Sequence, residues 1–209
     1  VSSGQAGYFT QPPDGRSGFT PHELGAEIWG YLPPAVLPHL QWLANDDYQH
    51  SYYVDLKPHI VDAKNGSDWR TVMIVGLRLG GAPIELTEGG PGAYSLPEFF
   101  ALDVTDPEEP PKLLWRFSDP SLVQSTASPA VVRSGHDGRF YVILPSGPAQ
   151  VNDAGQPIFN EASELYAGRS SRSQKARVIV LDLFTGQLAR ARDRDPSSAV
   201  GPDPLMVEE

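Results

Sequence analysis

Five histidines and 26 Asp and Glu residues give this chain the raw material for metal binding or acid–base chemistry. Their spacing decides whether any of it is used that way. His22, Glu23 and Glu27 fall in one short helical stretch. His22 and Glu23 are adjacent and so face apart, and no His-Glu-x-x-His pair follows. Thr20 as a cap, Pro21 at the first helical position and Glu23 three residues after the cap explain the run as a capping box. Asp46, Asp47, His50 and Asp55 are denser, and a divalent ion would suit them chemically. Their spacing matches no established loop, and a helix end with His50 hydrogen-bonded to a carboxylate is the simpler reading. Asp103 and Asp182 each close an apolar run, "FFALDVTDP" and "VIVLDLFTG". As lone carboxylates they would be candidate acids or bases. Their recurrence in one slot argues instead for a side chain that accepts backbone N–H groups and closes a turn.

The other constellations fall short of chemistry. Ser, His and Asp meet in "SGHDG" (Ser134–Gly138), but this is an Asp-Gly turn, and no Gly-x-Ser-x-Gly elbow exists. "GLRLGG" lacks the spacing of a phosphate-binding or dinucleotide loop. Trp29, Trp42, Trp69 and Trp115 could form a sugar- or quinone-stacking platform; packing between sheets is their ordinary use. Asn65-Gly66-Ser67 fits a glycosylation acceptor, though a hairpin already explains it. There is no Cys, hence no disulfide and no thiolate metal site. A net charge of -10 speaks against a nucleic-acid partner; the basic stretch "GRSSRSQKAR" (168–177) is short and reads as a loop. No apolar run reaches 18 residues, so no transmembrane segment is expected. Catalytic, cofactor-binding and metal-ligating residues are all expected to be none. A chain beginning at Val1 suggests an excised piece of a longer protein.

The elements that would hold these residues are mostly strands. Residues 1–19 read as extended or loop. A short helix starts at Thr20 and stops at "YLPP" (Tyr31–Pro34). A second starts at Pro34, with Val36, Leu37, Leu40 and Leu43 on one apolar face. Strands then follow: His59–Ala63, a hairpin at Asn65-Gly66, Trp69–Leu79, a long loop over 80–98, Phe99–Val104 and Lys112–Ser118. The pattern restarts with Ser128–Arg133, Arg139–Pro145, a loop over 146–175, Ala176–Leu183 and Gln187–Asp193. Pro 21 and Gly 20, scattered through the chain, suit such turn-rich β structure.

The two sets of four strands align position by position, with the Leu-Asp strand third in each. A repeated antiparallel four-stranded unit is the mark of a β-propeller blade, whereas an eight-stranded sandwich carries no such repeat. The fold class is therefore mostly β: a partial β-propeller of two four-stranded blades plus the start of a third, with a short helical insertion near the N-terminus. The expected divisions are 1–57 (N-terminal segment and helical insertion), 58–127 (first blade), 128–195 (second blade) and 196–209 (tail or first strand of a further blade). A propeller needs 4–8 blades to close, so the expected partners are other parts of the same propeller or neighbouring chains.

Several of these stretches carry a family likeness. "GAEIWGYLPPAVLPHLQWLANDDYQHSYYVD" (Gly25–Asp55) sets Glu27, Trp29, Tyr31, Leu32 and Pro33 before a Leu-rich helix, then Asp47, Tyr48, His50, Tyr53, Val54 and Asp55. "DWRTVMIVGLRLGG" follows, and then "FFALDVTDPEEPPKLLWRFSDPSL". Together they resemble PilY-type proteins, the type IV pilus tip-associated adhesins and assembly factors, in their C-terminal propeller region. The likeness runs over about residues 22–145 and thins to "VLDLFTG" beyond. It implies a non-enzymatic extracellular or cell-surface protein of the pilus tip, acting in pilus assembly and surface adhesion, with pilin or minor pilins as partners. Family members often carry an Asp-rich calcium loop. "DRDPSSAVGPD" (Asp193–Asp203) has the acids without the alternate spacing and central Gly, so no cofactor is expected in this chain, and calcium is left as a cofactor of the parent protein. Two other readings share the "LDLFTG" turn: a fragment of a quinoprotein-type propeller dehydrogenase, and a propeller module of another extracellular filament. The dehydrogenase would need a paired Trp-Gly motif in each blade, which is not seen.

Overall fold

The computed structural model describes residues 27–48, 50–80, 84–85, 94–119, 122, 125, 127–145, 150–151, 157–158 and 176–194. The expected helix at Thr20, the loop over 1–19 and the segment 196–209 lie outside these residues.

Among the described residues two four-stranded antiparallel sheets form the frame. The first consists of β1 (His59–Asn65), β2 (Asp68–Gly76), β5 (Glu98–Asp103) and β6 (Lys112–Ser118), in that spatial order. The second consists of β7 (Ala130–Arg133), β8 (Phe140–Pro145), β11 (Ala176–Asp182) and β12 (Leu188–Arg194), likewise in chain order. The two Leu-Asp strands, β5 and β11, thus lie in different sheets and both stand third. The segments read as loops are not wholly irregular. Each holds a two-residue ladder: β3 (Ile84–Glu85) with β4 (Tyr94–Ser95), and β9 (Gln150–Val151) with β10 (Pro157–Ile158). The first hairpin turns on Gly66-Ser67, one residue later than the Asn-Gly signal, with Asn65 and Asp68 as the closing pair and Gly66 at φ 64°.

The repeat extends to irregularities. In the first sheet the ladder shifts register between Ala101 and Leu102, and in the second between Val180 and Leu181, the equivalent pair. Through the shift Leu102 pairs Leu113 and Leu181 pairs Leu188; before it Ala101 pairs Trp115 and Val180 pairs Arg190. Each sheet therefore has a leucine face, carrying Leu102 or Leu181, and an aspartate face, carrying Ala101 and Asp103 or Val180 and Asp182.

Packing between the sheets joins unlike faces. The larger core takes Ala63, Val72, Ile74, Phe99, Ala101 and Trp115 from the aspartate face of the first sheet. Against them stand Val142, Leu144, Ile179, Leu181 and Leu183 from the leucine face of the second. The leucine face of the first sheet is instead covered by a helix: Ala35 and Val36 pack on Val75, Leu77, Phe100 and Leu102.

That helix corrects the expectation made for it. It spans Pro34–Ala44 as a 3₁₀ helix with Pro38 inside. Pro38 has no N–H to complete an α-helical bond, and the terminal bonds run from Val36 N–H to Pro33 O (3.0 Å) and from Asn45 N–H to Trp42 O (3.1 Å), each three residues back. Three residues per turn replace 3.6, so the buried set is Ala35, Val36 and His39. Leu37 and Leu43, expected inside, are 50% and 54% exposed. The Trp residues also divide. Trp115 is buried between the sheets as expected, whereas Trp69, on the β1–β2 hairpin, is 64% exposed.

Candidate functional site: the Leu-Asp turns and the junction between sheets

Asp103 ends β5 facing Arg70 of β2, whose Nη1 lies 3.3 Å from Asp103 Oδ2. Its Oδ1 accepts the Thr105 N–H at 3.0 Å and the Thr105 hydroxyl. Thr105 Oγ1 in turn accepts the Thr71 N–H at 3.0 Å, so one carboxylate ties the turn back to the neighbouring strand. Burial pushes the pKa of Asp103 up, but the Thr105 hydroxyl and N–H, with Arg70 and Lys112, outweigh it and hold the carboxyl below its usual range. Asp182 repeats the device. Its Oδ1 accepts from Phe184 N–H (3.1 Å), Thr185 N–H (2.9 Å) and the Thr185 hydroxyl (2.9 Å). Both carboxylates act as turn acceptors, as their recurrence suggested.

At the second turn the two sheets are in direct contact. Trp115 Nε1 donates to Leu183 O at 2.7 Å across the junction. The Trp115 side chain packs against Gly186, which has φ 67°; a Cβ there would stand 2.5 Å from Trp115 Cγ and 2.6 Å from its Cβ. Only glycine satisfies both conditions. Farther along, Arg177 Nη1 of the second sheet donates to Oδ2 of Asp119, the residue after β6, at 3.1 Å.

Glu98, equivalent to Arg177 in the repeat, was not singled out by its sequence. Its side chain is wholly buried on the leucine face and accepts from Arg116 Nε at 2.8 Å, while Oε1 has no hydrogen-bond partner. Burial, and next the Glu98 charge, raise the pKa of the nearby Tyr31 phenol. The signal lay in the cross-strand neighbourhood: Glu98 and Arg116 lie on adjacent strands, two rungs apart.

The remaining candidates do not converge. His22 and Glu23 lie outside the described residues, and Glu27 is exposed. The acids after the helix sit in an exposed turn, where Asp47 N–H donates to Asn45 Oδ1 at 3.1 Å. His50 meets the Tyr52 ring edge-on at 5.4 Å rather than a carboxylate. Asp55 pairs with Arg78 at 3.2 Å. Among the described residues no group of three or more His, Cys, Asp or Glu side chains could hold a metal ion. In "SGHDG", Ser134 Oγ accepts the His136 N–H at 3.2 Å, and Asp137 Oδ2 accepts the Tyr141 hydroxyl at 2.7 Å. With the Tyr141 hydroxyl, Ser134 and the Arg139 N–H bonded to it, the Asp137 carboxyl is lowered to about 2. This is a braced hairpin, not a relay.

Two stretches that carry the family likeness lock together. Asp55 N–H donates to Leu77 O at 3.3 Å. Gly80 lies against the Tyr53 backbone with no room for a side chain, and a Cβ on Gly76 would meet Phe99 at 2.6 Å. Gly76 and Gly80 of "GLRLGG" thus serve close approach.

No protein-family model matches the chain. It is 33% identical over 172 residues to the type IV pilus biogenesis factor PilY1 of Pseudomonas aeruginosa strain PAO1, covering 79% of this chain. A PilY1 homolog of Xylella fastidiosa strain Temecula1 is 31% identical over 187 residues, 88% of this chain. The chain spans 12% and 10% of those two proteins. Among solved structures, the Pseudomonas aeruginosa PilY1 C-terminal domain superposes with a TM-score of 0.51 at 27% identity, over 85% of this chain and 28% of that domain. Sequence and structure agree that this chain belongs with the PilY1-type proteins and is homologous to part of their C-terminal domain.

Proposed function

We propose that this chain is part of a non-enzymatic type IV pilus-tip protein that acts in pilus assembly and surface adhesion through a β-propeller. The homology to PilY1, a named pilus biogenesis factor, carries the assignment. The propeller reading rests on the stacking order. A sandwich built from two like units around a two-fold axis would oppose like faces, whereas here an aspartate face meets a leucine face. Such heterologous contacts propagate, and a ring forms when the rotation closes. In this reading 58–127 and 128–195 are successive blades, 1–57 is the segment and helical insertion before them, and 196–209 begins a further one. The protein sits outside the cell or on its surface, with pilin or minor pilins as partners, and this chain holds no cofactor. The Leu-Asp carboxylates support the non-enzymatic assignment, because their Oδ1 atoms are committed to turn donors.

The test is genetic. Deleting the coding region for residues 27–194 in the organism that encodes it should lower sheared surface pilin and reduce attachment to abiotic surfaces. Undiminished pili and attachment would overturn the proposal, as would a quinone-dependent dehydrogenase activity lost with the same deletion.

A further inference from the structure

Singly exposed apolar residues are ordinary on a protein surface, but in this chain they gather. Among the described residues thirteen large apolar side chains stand exposed, and eight of them lie between Ile28 and Val54, so one short segment carries a patch. The 3₁₀ helix orders its centre, because residues three apart eclipse in such a helix. Val36 and His39 form the buried row. Leu37, Leu40 and Leu43 form the row a third of a turn round from it, with Leu37 and Leu43 exposed and Leu40 half-buried. At about 2.0 Å per residue this leucine row is about 12 Å long. Trp42 is exposed beside it, with its ring edge-on to His39 at 5.2 Å. Linked turns follow: Tyr48 N–H donates to Asn45 O at 3.1 Å, and Ser51 N–H to Tyr48 Oη at 3.3 Å. They leave the Tyr48 and Tyr52 rings exposed as well. From Glu27 to Leu56 the sequence has no Lys or Arg, and Asp46 and Asp47 are exposed just past the leucine row.

We propose that this ridge is a lipid-contact site: it lies on a bilayer of zwitterionic headgroups, with the leucines at the acyl boundary and Trp42, Tyr48 and Tyr52 at headgroup level. The inference rests on the surface-adhesion reading above and adds the chemistry of the surface. Three features favour lipid as the occupant. The helix stands on the first sheet by Ala35 and Val36, so its leucine row is a ridge rather than a pocket, and it asks for no hydrogen-bond partner. Fluid acyl chains accommodate a ridge of that kind, as they do the apolar face of an interfacial helix. The patch is also too small for a stable protein partner, whose interface takes about 20–30 residues a side. Trp and Tyr, finally, are the residues that settle where apolar chains meet polar headgroups.

Charge selects the lipid. Segments that rely on anionic headgroups carry Lys and Arg on their polar side. This one carries none, and Asp46 and Asp47 are repelled by a negative surface. The ridge therefore prefers phosphatidylcholine to phosphatidylglycerol.

The chain has no cysteine, so Leu43→Cys gives the full chain a single thiol for the environment-sensitive fluorophore nitrobenzoxadiazole. Trp69→Cys, on the exposed β1–β2 hairpin, is the control. Vesicles of pure phosphatidylcholine, and vesicles rich in phosphatidylglycerol, are titrated in at low salt. With phosphatidylcholine the label at position 43 should brighten and shift to the blue, while the label at 69 stays wet. Binding to the anionic vesicles should be several-fold weaker. Leu37→Ser, a second change at an exposed position of the same row, should lower the partition of the position-43 conjugate several-fold. No response at 43, an equal response at 69, tighter binding to the anionic vesicles, or an unaffected Leu37→Ser variant would each overturn the proposal. So would light scattering that showed a dimer without lipid, lost on Leu37→Ser, which would assign the ridge to a second copy. The titration is made without pili, so the deletion phenotype and the lipid contact can fail separately.

Discussion

Gly186→Ala measures how tightly the two sheets are pressed together, and Gly66→Ala is its control. Both glycines have positive φ, 67° and 64°. A Cβ at Gly66 has nothing within 4 Å, whereas at Gly186 it falls 2.5 Å from the Trp115 ring. Alanine in the left-handed region costs about 1–2 kcal/mol at either site. At Gly186 overpacking adds about 1–3 kcal/mol more, because Trp115 must shift and its bond to Leu183 O weakens. Urea unfolding followed by Trp fluorescence should thus show Gly186→Ala less stable than Gly66→Ala by about 1–3 kcal/mol, with unchanged denaturant slope. Equal losses at the two sites would refute the packing of Trp115 on the second turn.

Asp182→Ala strips three donors of their acceptor and should cost about 1–3 kcal/mol in the same assay; a neutral result would contradict the turn role. Arg116→Met strands the buried Glu98 carboxylate and should cost about 3–5 kcal/mol. Glu98→Gln leaves the partly exposed Arg116 free to reach water and should cost less; the reverse order would contradict the assigned burial. Asp103 has a folded pKa below its unfolded value, so it adds stability that is present above the unfolded pKa, about 3.9, and lost as pH falls through the folded one. Asp103→Asn should therefore flatten the acid limb of the stability profile below about pH 4, and an unchanged limb would show that Asp103 makes no such contribution.

The strands were legible because their apolar runs are bounded by turn residues, and the repeat because "LDVTDP" and "LDLFTG" write one turn twice. Leu37 and Leu43 misled for a physical reason. Their spacing is α-helical, but Pro38 tightens the segment to three residues per turn and rotates both into solvent. Trp69 and Trp115 look alike in sequence. Only the second faces the neighbouring sheet, which strand register and stacking order decide. Glu98 gave no signal of its own, because its pairing depends on the register of two strands and on the reach of Arg116. Within the cluster Asp46, Asp47, His50 and Asp55, spacing alone did not show direction: Asp55 is drawn to Arg78 and His50 to Tyr52.

NMR on the full chain can read the head-to-tail order of the repeats. Nuclear Overhauser effects should join the Trp115 ring to the Gly186 α-protons, with a slowly exchanging Trp115 indole proton bonded to Leu183 O. Methyl contacts between Leu102 and Leu181, which would place like faces together, would contradict it.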